Sequence, residues 1–283
     1  MSNLDSMQRF TFDETDVRGE LVGLHKSLAA ILSKHQYPHA LQLELGKLMA
    51  ASALLSATLK YDGRLCLQVR LPGDVTLIQA ETTNTGEVRA IARYNEEKAE
   101  QIDRIELKGG QLVITLEPTE GKPYQGIVPL DSNHLNEALE HYFQQSEQLA
   151  SRFWLECNGT LASGFMLQQL PSSKQGDADA WDRLSHLAST LKEEELLQLN
   201  NETILHRLYH EEQVRVYDAE TLRFACTCSK ERIGTAISKI GLEELMGVIS
   251  EQGKVSVDCQ FCLQHYSFDS SQIGDLFPEK KLH

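Results

Sequence analysis

Four of the chain's six cysteines fall in its last 58 residues, as Cys226-x-Cys228 and Cys259-x-x-Cys262. Two close pairs, thirty residues apart, restrict what this end of the chain can become. A segment of that size has few large apolar groups of its own and needs a staple to hold a fold. Cys259-x-x-Cys262 has the spacing of one half of a zinc knuckle. In an extended Cys226-Thr227-Cys228 run, both sulfurs point to one side and can reach one ion. The thirty residues between the pairs hold two short helix candidates, enough chain to fold back. A tetrahedral site of four thiolates, one Zn2+ per chain, is the expected staple. The same spacings permit a local disulfide within either pair. Metal, disulfide, or alternation between the two all remain open on the spacing alone.

The flanking residues support a metal. Ser229 is a helix cap placed directly after Cys228, and a helix N-terminus stabilises a thiolate. Lys230 and Arg232 are expected to offset the charge of four thiolates. His265 follows Cys262 closely, but four thiolates complete the site, so it is expected at the surface. Within this segment Ile233, Ala236, Ile237 and Ile240 are read as one apolar side of a helix stopped by Gly241. "LEELMGVISEQG" is a second helix, and "KVSVDC" and "HYSFD" are a pair of strands.

Upstream, strand and helix signals come in groups, which predicts an α+β fold: a large N-terminal α/β sheet-and-helix domain, a helical linker and a small C-terminal zinc-binding domain. The strand candidates are "RFTF", "VRGELVGL", "RLCLQVR", "VTLIQAETT", "EVRAIARY", "QLVITLEP", "YQGIVPL", "RFWLEC" and "GFMLQQL". "ALQLELGKLMAASALLSATLKY" is apolar almost all round, as a buried helix would be. A helix over "SNHLNEALEHYFQQSEQ" has Ser132 as its expected cap. The polar stretch "PSSKQGDADA" marks a break. The domains are placed at 1–172, 173–225 and 226–283. The linker carries two amphipathic helices, one with Trp181, Leu184, Leu187, Ala188 and Leu191, one with Ile204, Leu205, Leu208 and Tyr209. Between and around them lie the charged runs "KEEE" and "YHEE". Helices this short hold mainly through tertiary packing, so the segment is either an ordinary connector or one built to melt. Cys157 shares a face with Phe153 and Leu155 and is expected in the core. Cys66 alternates with Arg64, Gln68 and Arg70 and is expected to be partly exposed.

Composition excludes several functions. The formal net charge is -14, and the last 58 residues are not locally basic, so nucleic acid is a poor partner. The N-terminus lacks a basic-then-apolar secretory pattern. The apolar run Leu48–Leu59 is shorter than the about twenty residues a membrane span needs. A soluble, cytoplasmic chain is expected, where thiols do metal or redox work rather than form permanent crosslinks. There is no phosphate loop, no GxSxG and no HExxH.

The residues together resemble the heat-shock protein 33 family of redox-regulated holdase chaperones. The resemblance runs over nearly the whole chain. It rests on "RFTFDETDVRGELV", "SALLSATLKYDG", "GEVRAIAR", "PYQGIVPL", "YFQQSEQL", "LHRLYHEE", "FACTCSKER" and "VDCQFCLQHYSF". It implies zinc on Cys226, Cys228, Cys259 and Cys262 in a reduced, inactive state. On oxidation it implies Cys226–Cys228 and Cys259–Cys262 bonds, zinc release and linker unfolding. The protein then binds unfolding client proteins without ATP, often as a homodimer, and is not an enzyme. Trp181, Leu184, Leu187, Leu191, Ile204, Leu205 and Leu208 are the apolar side chains that linker unfolding would offer to clients. One residue departs from the pattern: Leu263 stands after the last cysteine, where the family usually has Gly, which suits a positive φ. A non-switching, zinc-stapled binding module is the alternative. A thiol-exchange oxidoreductase lacks its usual βαβ context.

Overall fold

The structure is a computed structural model that describes residues 5–58, 62–171, 177 and 179–277. The chain forms two compact units, 1–225 and 226–283. In chain order the first unit contains β1 (Ser6–Phe12), β2 (Val17–Leu24), α1 (Lys26–Leu32), α2 (His39–Thr58), β3 (Gly63–Arg70), β4 (Val75–Thr83), β5 (Glu87–Tyr94), β6 (Gln111–Pro118), β7 (Tyr124–Pro129), α3 (Leu135–Tyr142), β8 (Ser151–Cys157) and β9 (Ala162–Gln169). It continues through α4 (Ala180–Ala188), α5 (Glu193–Gln198), α6 (Asn201–Tyr209), β10 (Val214–Val216), β11 (Glu220–Thr221) and β12 (Arg223–Phe224). The fold is α+β, as the grouped signals predict. The break at 171–180 falls largely outside the described residues, as does the expected end of the long helix at 59–61.

The strands make two sheets, ordered β10-β1-β2-β9-β8 with β11 also on β1, and β12-β5-β4-β3-β6-β7. Between them lies α2, which packs on β2, β8 and β9 of one sheet and β3, β4 and β5 of the other. A helix buried on both sides must be apolar all round. Leu41, Leu45, Leu48, Met49, Leu54 and Leu55 are all buried in this main core.

The first sheet has a second apolar face, and α4, α5 and α6 cover it. Phe10, Phe12, Leu21, Phe165 and Leu167 from the strands meet Leu184, Leu196, Ile204, Leu205, Leu208 and Tyr209 from the helices. The rings of Phe10 and Phe165 stack at 5.7 Å, and Phe12 meets Tyr209 edge-on at 4.8 Å. The buried Tyr209 hydroxyl donates to the Leu184 carbonyl at 3.2 Å, which ties α6 to α4. Each fully buried Leu or Ile contributes roughly 1.5–3 kcal/mol. The helices of the expected linker are therefore held by the sheet.

Several expectations need correction. The "KEEE" run forms the cap and first turn of a third helix, α5, which the two-helix reading of this segment lacks, and its three acidic residues suit the helix dipole. Its Leu196 and Leu197 are buried. Ser132 does not cap α3: His134 holds that position, and the Ser132 hydroxyl accepts from the His134 amide instead. Cys66 is buried. It lies opposite Glu81 and Thr115 on the neighbouring strands, and Glu81 is held by Arg64 and Arg89. Burial, with Glu81 close by, pushes its thiol up to about 12. Cys157 is buried as expected, its sulfur filling the space where a Cβ on Gly46 of α2 would otherwise stand. Among the described residues no helix is long and apolar enough to cross a membrane.

β10, β11 and β12 run along existing sheet edges. Gly86, just before β5, has φ +77°, and a Cβ there would overlap the Thr221 carbonyl oxygen. Gly86 thus admits the backbone of residues 221–223. In Gly86→Ala, the left-handed backbone alone costs about 1–2 kcal/mol, and the overlap adds to it. The Leu222 amide, bonded to the Asp5 carbonyl, and the Arg223 amide, bonded to the Gly86 carbonyl, should exchange with solvent on the order of tenfold faster, while core amides of α2 keep their protection.

Candidate metal centre

The second unit is small. It comprises α7 (Lys230–Ile237), α8 (Leu242–Gln252), β13 (Val255–Asp258), β14 (His265–Phe268) and α9 (Ser270–Asp275). Its buried apolar cluster consists of Ile237, Leu245, Val255, Phe268 and Ile273. Two helix readings are corrected here. α7 ends at Ile237, and Gly241 (φ +111°) caps the start of α8 rather than stopping α7. Ile240 lies beyond the helix and is 51% exposed, and Ala236 is also exposed. The buried surface of α7 is Gly234 and Ile237, where the missing side chain of Gly234 admits Leu276.

Each cysteine is placed by a local turn. The Cys226–Cys228 run leads into α7, whose cap Ser229 accepts from the Arg232 amide at 3.2 Å. Cys259 and Cys262 sit in the turn joining β13 to β14, whose register pairs Asp258 with His265. The turn is closed by the Leu263 amide on the Cys259 carbonyl (2.8 Å) and the Cys259 amide on the Gln264 carbonyl (3.0 Å). All four sulfurs lie within 4.8 Å of one another. Cys226 and Cys259 are 3.6 Å apart and Cys228 and Cys262 3.4 Å. A zinc tetrathiolate with about 2.3 Å bonds has tetrahedron edges of about 3.8 Å. A disulfide needs about 2.05 Å. The cluster therefore has the size of a metal site.

The electrostatics are uneven. Burial pushes the Cys226 thiol up and the Cys262 thiol up to about 12. Burial also acts on Cys228, but the Tyr266 hydroxyl and the neighbouring thiols outweigh it and hold Cys228 down at about 7. Tyr266 donates to the Cys228 sulfur at 3.1 Å. The sequence reading missed this residue. It sits on β14, and only the strand pairing brings it to a cysteine 38 positions earlier. The two cations act differently from expectation. Arg232 donates to the Thr227 carbonyl at 2.9 Å and so braces the loop between the first two cysteines. Lys230 bonds Gln272 and lies 5.3 Å over the Phe268 ring. His265 is exposed and pairs with Asp258 at 2.7 Å.

Leu263 has φ +59° and is 47% exposed. The knuckle keeps its left-handed corner although a leucine occupies it. The structure places the proposed client-binding side chains elsewhere. Leu184, Ile204, Leu205 and Leu208 are buried on the first sheet, with Trp181, Leu187 and Leu191 packed at the margin of the same cluster.

An α+β unit joined to a small unit with four converging thiols defines a class of two-unit proteins whose small unit is placed to hold a metal ion. A family model described as Hsp33 protein matches residues 5–269. Proteins named 33 kDa chaperonin are similar over almost the full length. That of Pseudomonas fluorescens strain Pf-5 is 46% identical over 284 residues, covering 98% of this chain and 95% of its own. That of Pseudomonas syringae pv. syringae is 47% identical over 282 residues, covering 97% and 94%. A solved 33 kDa chaperonin from Thermotoga maritima shares the fold, with a TM-score of 0.80 at 21% identity over 98% of this chain and 99% of that one. The chain belongs to the Hsp33 family.

Two substitutions test the site. Hydrogen bonds to ligand atoms commonly matter by 10–100-fold in metal affinity, so Tyr266→Phe should weaken metal binding by about tenfold in chelator competition. Leu263→Gly removes about 1–2 kcal/mol of left-handed strain and gives back part of it as chain entropy. The melting midpoint of the metal-loaded second unit should rise.

Proposed function

We propose that the protein is a redox-regulated, ATP-independent holdase chaperone of the cytoplasm, and not an enzyme. The observation that carries the reading is the convergence of Cys226, Cys228, Cys259 and Cys262 within 4.8 Å. Membership of a family whose relatives are named chaperonins supports it. In the reduced state the four thiolates hold one Zn2+, which supplies the crosslink that the small apolar cluster lacks. The charge of the chain argues against a nucleic-acid partner.

Oxidation acts on the thiols. Within each pair a two-electron oxidant such as a peroxide takes two electrons. One S–S bond forms between the two thiolates, and the peroxide, taking up two protons from solvent, leaves as two waters. The expected bonds are Cys226–Cys228 and Cys259–Cys262. Sulfurs bonded in this way no longer hold the ion. Structural zinc supplies about 10–16 kcal/mol of apparent folding energy in finger peptides, against a typical total stability of about 5–15 kcal/mol for a domain. The second unit then unfolds.

The switch reaches the first unit through the chain itself. The Ala225 amide bonds the Val88 carbonyl at 3.2 Å, and the next residue is the ligand Cys226. Loss of order from Cys226 onward removes the anchor of β12, and the 173–225 segment comes away from the sheet. The Trp181, Leu184, Leu187, Leu191, Ile204, Leu205 and Leu208 side chains become available to unfolding clients, together with Phe10, Phe12 and Phe165 beneath them. The active form is a homodimer.

Reduced protein should carry one zinc per chain. On peroxide treatment a chromogenic chelator should register its release, and the same sample should suppress aggregation of a heat-unfolded enzyme. Peptide mapping should find the within-pair disulfides, not a Cys226–Cys259 bond. Zinc retained on unreactive thiols would instead favour a static, zinc-stapled binding module. Oxidised protein without aggregation suppression would remove the chaperone assignment.

A further inference from the structure

Residues 214–224 close an edge on each sheet of the first unit. β10 pairs antiparallel with β1, with Val216 opposite Phe10, Arg215 opposite Thr11 and Val214 opposite Phe12. β11 continues along β1, pairing Thr221 with Ser6 and Glu220 with Met7. β12 then crosses to the second sheet and pairs parallel with β5, Arg223 beside Glu87 and Phe224 beside Val88. Main-chain hydrogen bonds extend each pairing. The Tyr217 amide donates to the Arg9 carbonyl (3.0 Å), the Asp13 amide to the Gln213 carbonyl (2.9 Å) and the Leu222 amide to the Asp5 carbonyl (2.8 Å). In an antiparallel ladder such groups alternate, so Arg9, Thr11 and Asp13 turn their main-chain groups toward β10.

Side chains anchor the far end of this segment, where Leu222 is buried in the main core, Phe224 packs against it and Arg223 pairs with Glu87 (2.6 Å). Along β10 they contribute less, through Arg215 on Asp13 (3.3 Å) and the Tyr217 hydroxyl 3.4 Å from that of Thr11. Val214 is half-buried against the aromatic cluster, while Arg215, Val216, Glu220 and Thr221 are exposed. From Arg9 to Asp13 the edge of β1 is therefore satisfied chiefly by backbone, with two valines beside Phe10 and Phe12. An edge held by backbone accepts a strand of almost any sequence. Once vacated, it becomes a template for another chain.

We propose that the β1 edge uncovered by release of residues 214–224 binds an extended segment of a non-native protein by strand addition. The β5 edge at Glu87 and Val88 offers a second, shorter place. The proposal deepens the chaperone reading and rests on it, because the edge is open only after the segment leaves. The preferred client segment carries apolar side chains at alternate positions, to lie beside Phe10 and Phe12 as Val216 and Val214 do. Main-chain recognition suits a holdase, whose clients share a backbone and little else. Client and switch segment compete for the same donors and acceptors, so a bound client also holds the segment out.

The test uses the full-length protein after oxidation. Trypsin first reports release, by cleavage after Arg215 and Arg223. Two labelled synthetic peptides of alternating Val and Thr are then compared by fluorescence anisotropy, one plain and one N-methylated through its central residues. The methylated peptide keeps its side chains and loses its strand donors. Strand addition predicts binding weaker by about tenfold or more, and slowed exchange of the Thr11 amide only with the plain peptide. Equal binding of both peptides, or an unaltered Thr11 amide, overturns the proposal and leaves the chaperone reading standing. A Thr11 amide already protected in oxidised protein alone, in step with protein concentration, assigns the edge to a second copy of the chain and also overturns it. Absence of cleavage after Arg215 and Arg223 overturns the release step and the proposal together.

Discussion

Four sulfurs lying within 4.8 Å of one another bring the start of the second unit to the turn between its two strands. Among the described residues, five buried apolar side chains with eight partly buried ones around them make a small core, of the size that usually calls for a staple. The thiols converge from two turns, one capped by Ser229 and one closed by the Leu263 amide. α7 and the residues that follow the β13–β14 hairpin also meet directly, through Lys230 on Gln272 and Gly234 against Leu276. The Tyr266–Cys228 bond and the Arg232–Thr227 bond orient the ligands. Two such hydrogen bonds are each worth about 1 kcal/mol, well below the about 10–16 kcal/mol that a structural zinc supplies in finger peptides.

Residues upstream have the opposite character. The helices α4, α5 and α6 are short and too weak to stand alone, yet they cover an aromatic sheet face with well-packed side chains. Residues 214–224 then bind sheet edges by strand pairing, with Leu222 and Phe224 packed on the main core. Such a segment is stable while it is docked and has little structure to keep once it leaves. Its final hydrogen bond, from Ala225 to Val88, is adjacent to the first cysteine of the site. Proximity in the chain thus places the four-thiol cluster directly after the segment that covers the first unit's sheets.

Much of this was legible in the sequence, for physical reasons. Two close cysteine pairs announce a common partner wherever the chain folds. The strands of both sheets announce themselves by alternation, and α2 by being apolar all round, because burial on two faces leaves no polar side. What was not legible depends on partners distant in the chain. Tyr266 reaches Cys228 only through the β13–β14 pairing. Cys66 alternates with charged residues and so reads as exposed, but Arg64 and Arg89 fold over it to hold Glu81. β10 to β12 are too short to show a period, since the edges they join decide their conformation. The "KEEE" run reads as charge between two helices until Leu196 and Leu197 find the sheet face. Gly241 looks like a stop and serves as a start, because α7 had already ended at Ile237.

The central claim is that order at the four sulfurs holds the cover on the first sheet. Hydrogen exchange of α4 and α6 amides tests it most directly, comparing metal-loaded reduced protein with the same protein stripped by a chelator under reducing conditions. Loss of protection over residues 180–188 and 201–209, with α2 unchanged, is the predicted result. Full protection of both helices in protein whose second unit has lost its metal and its fold would contradict the account.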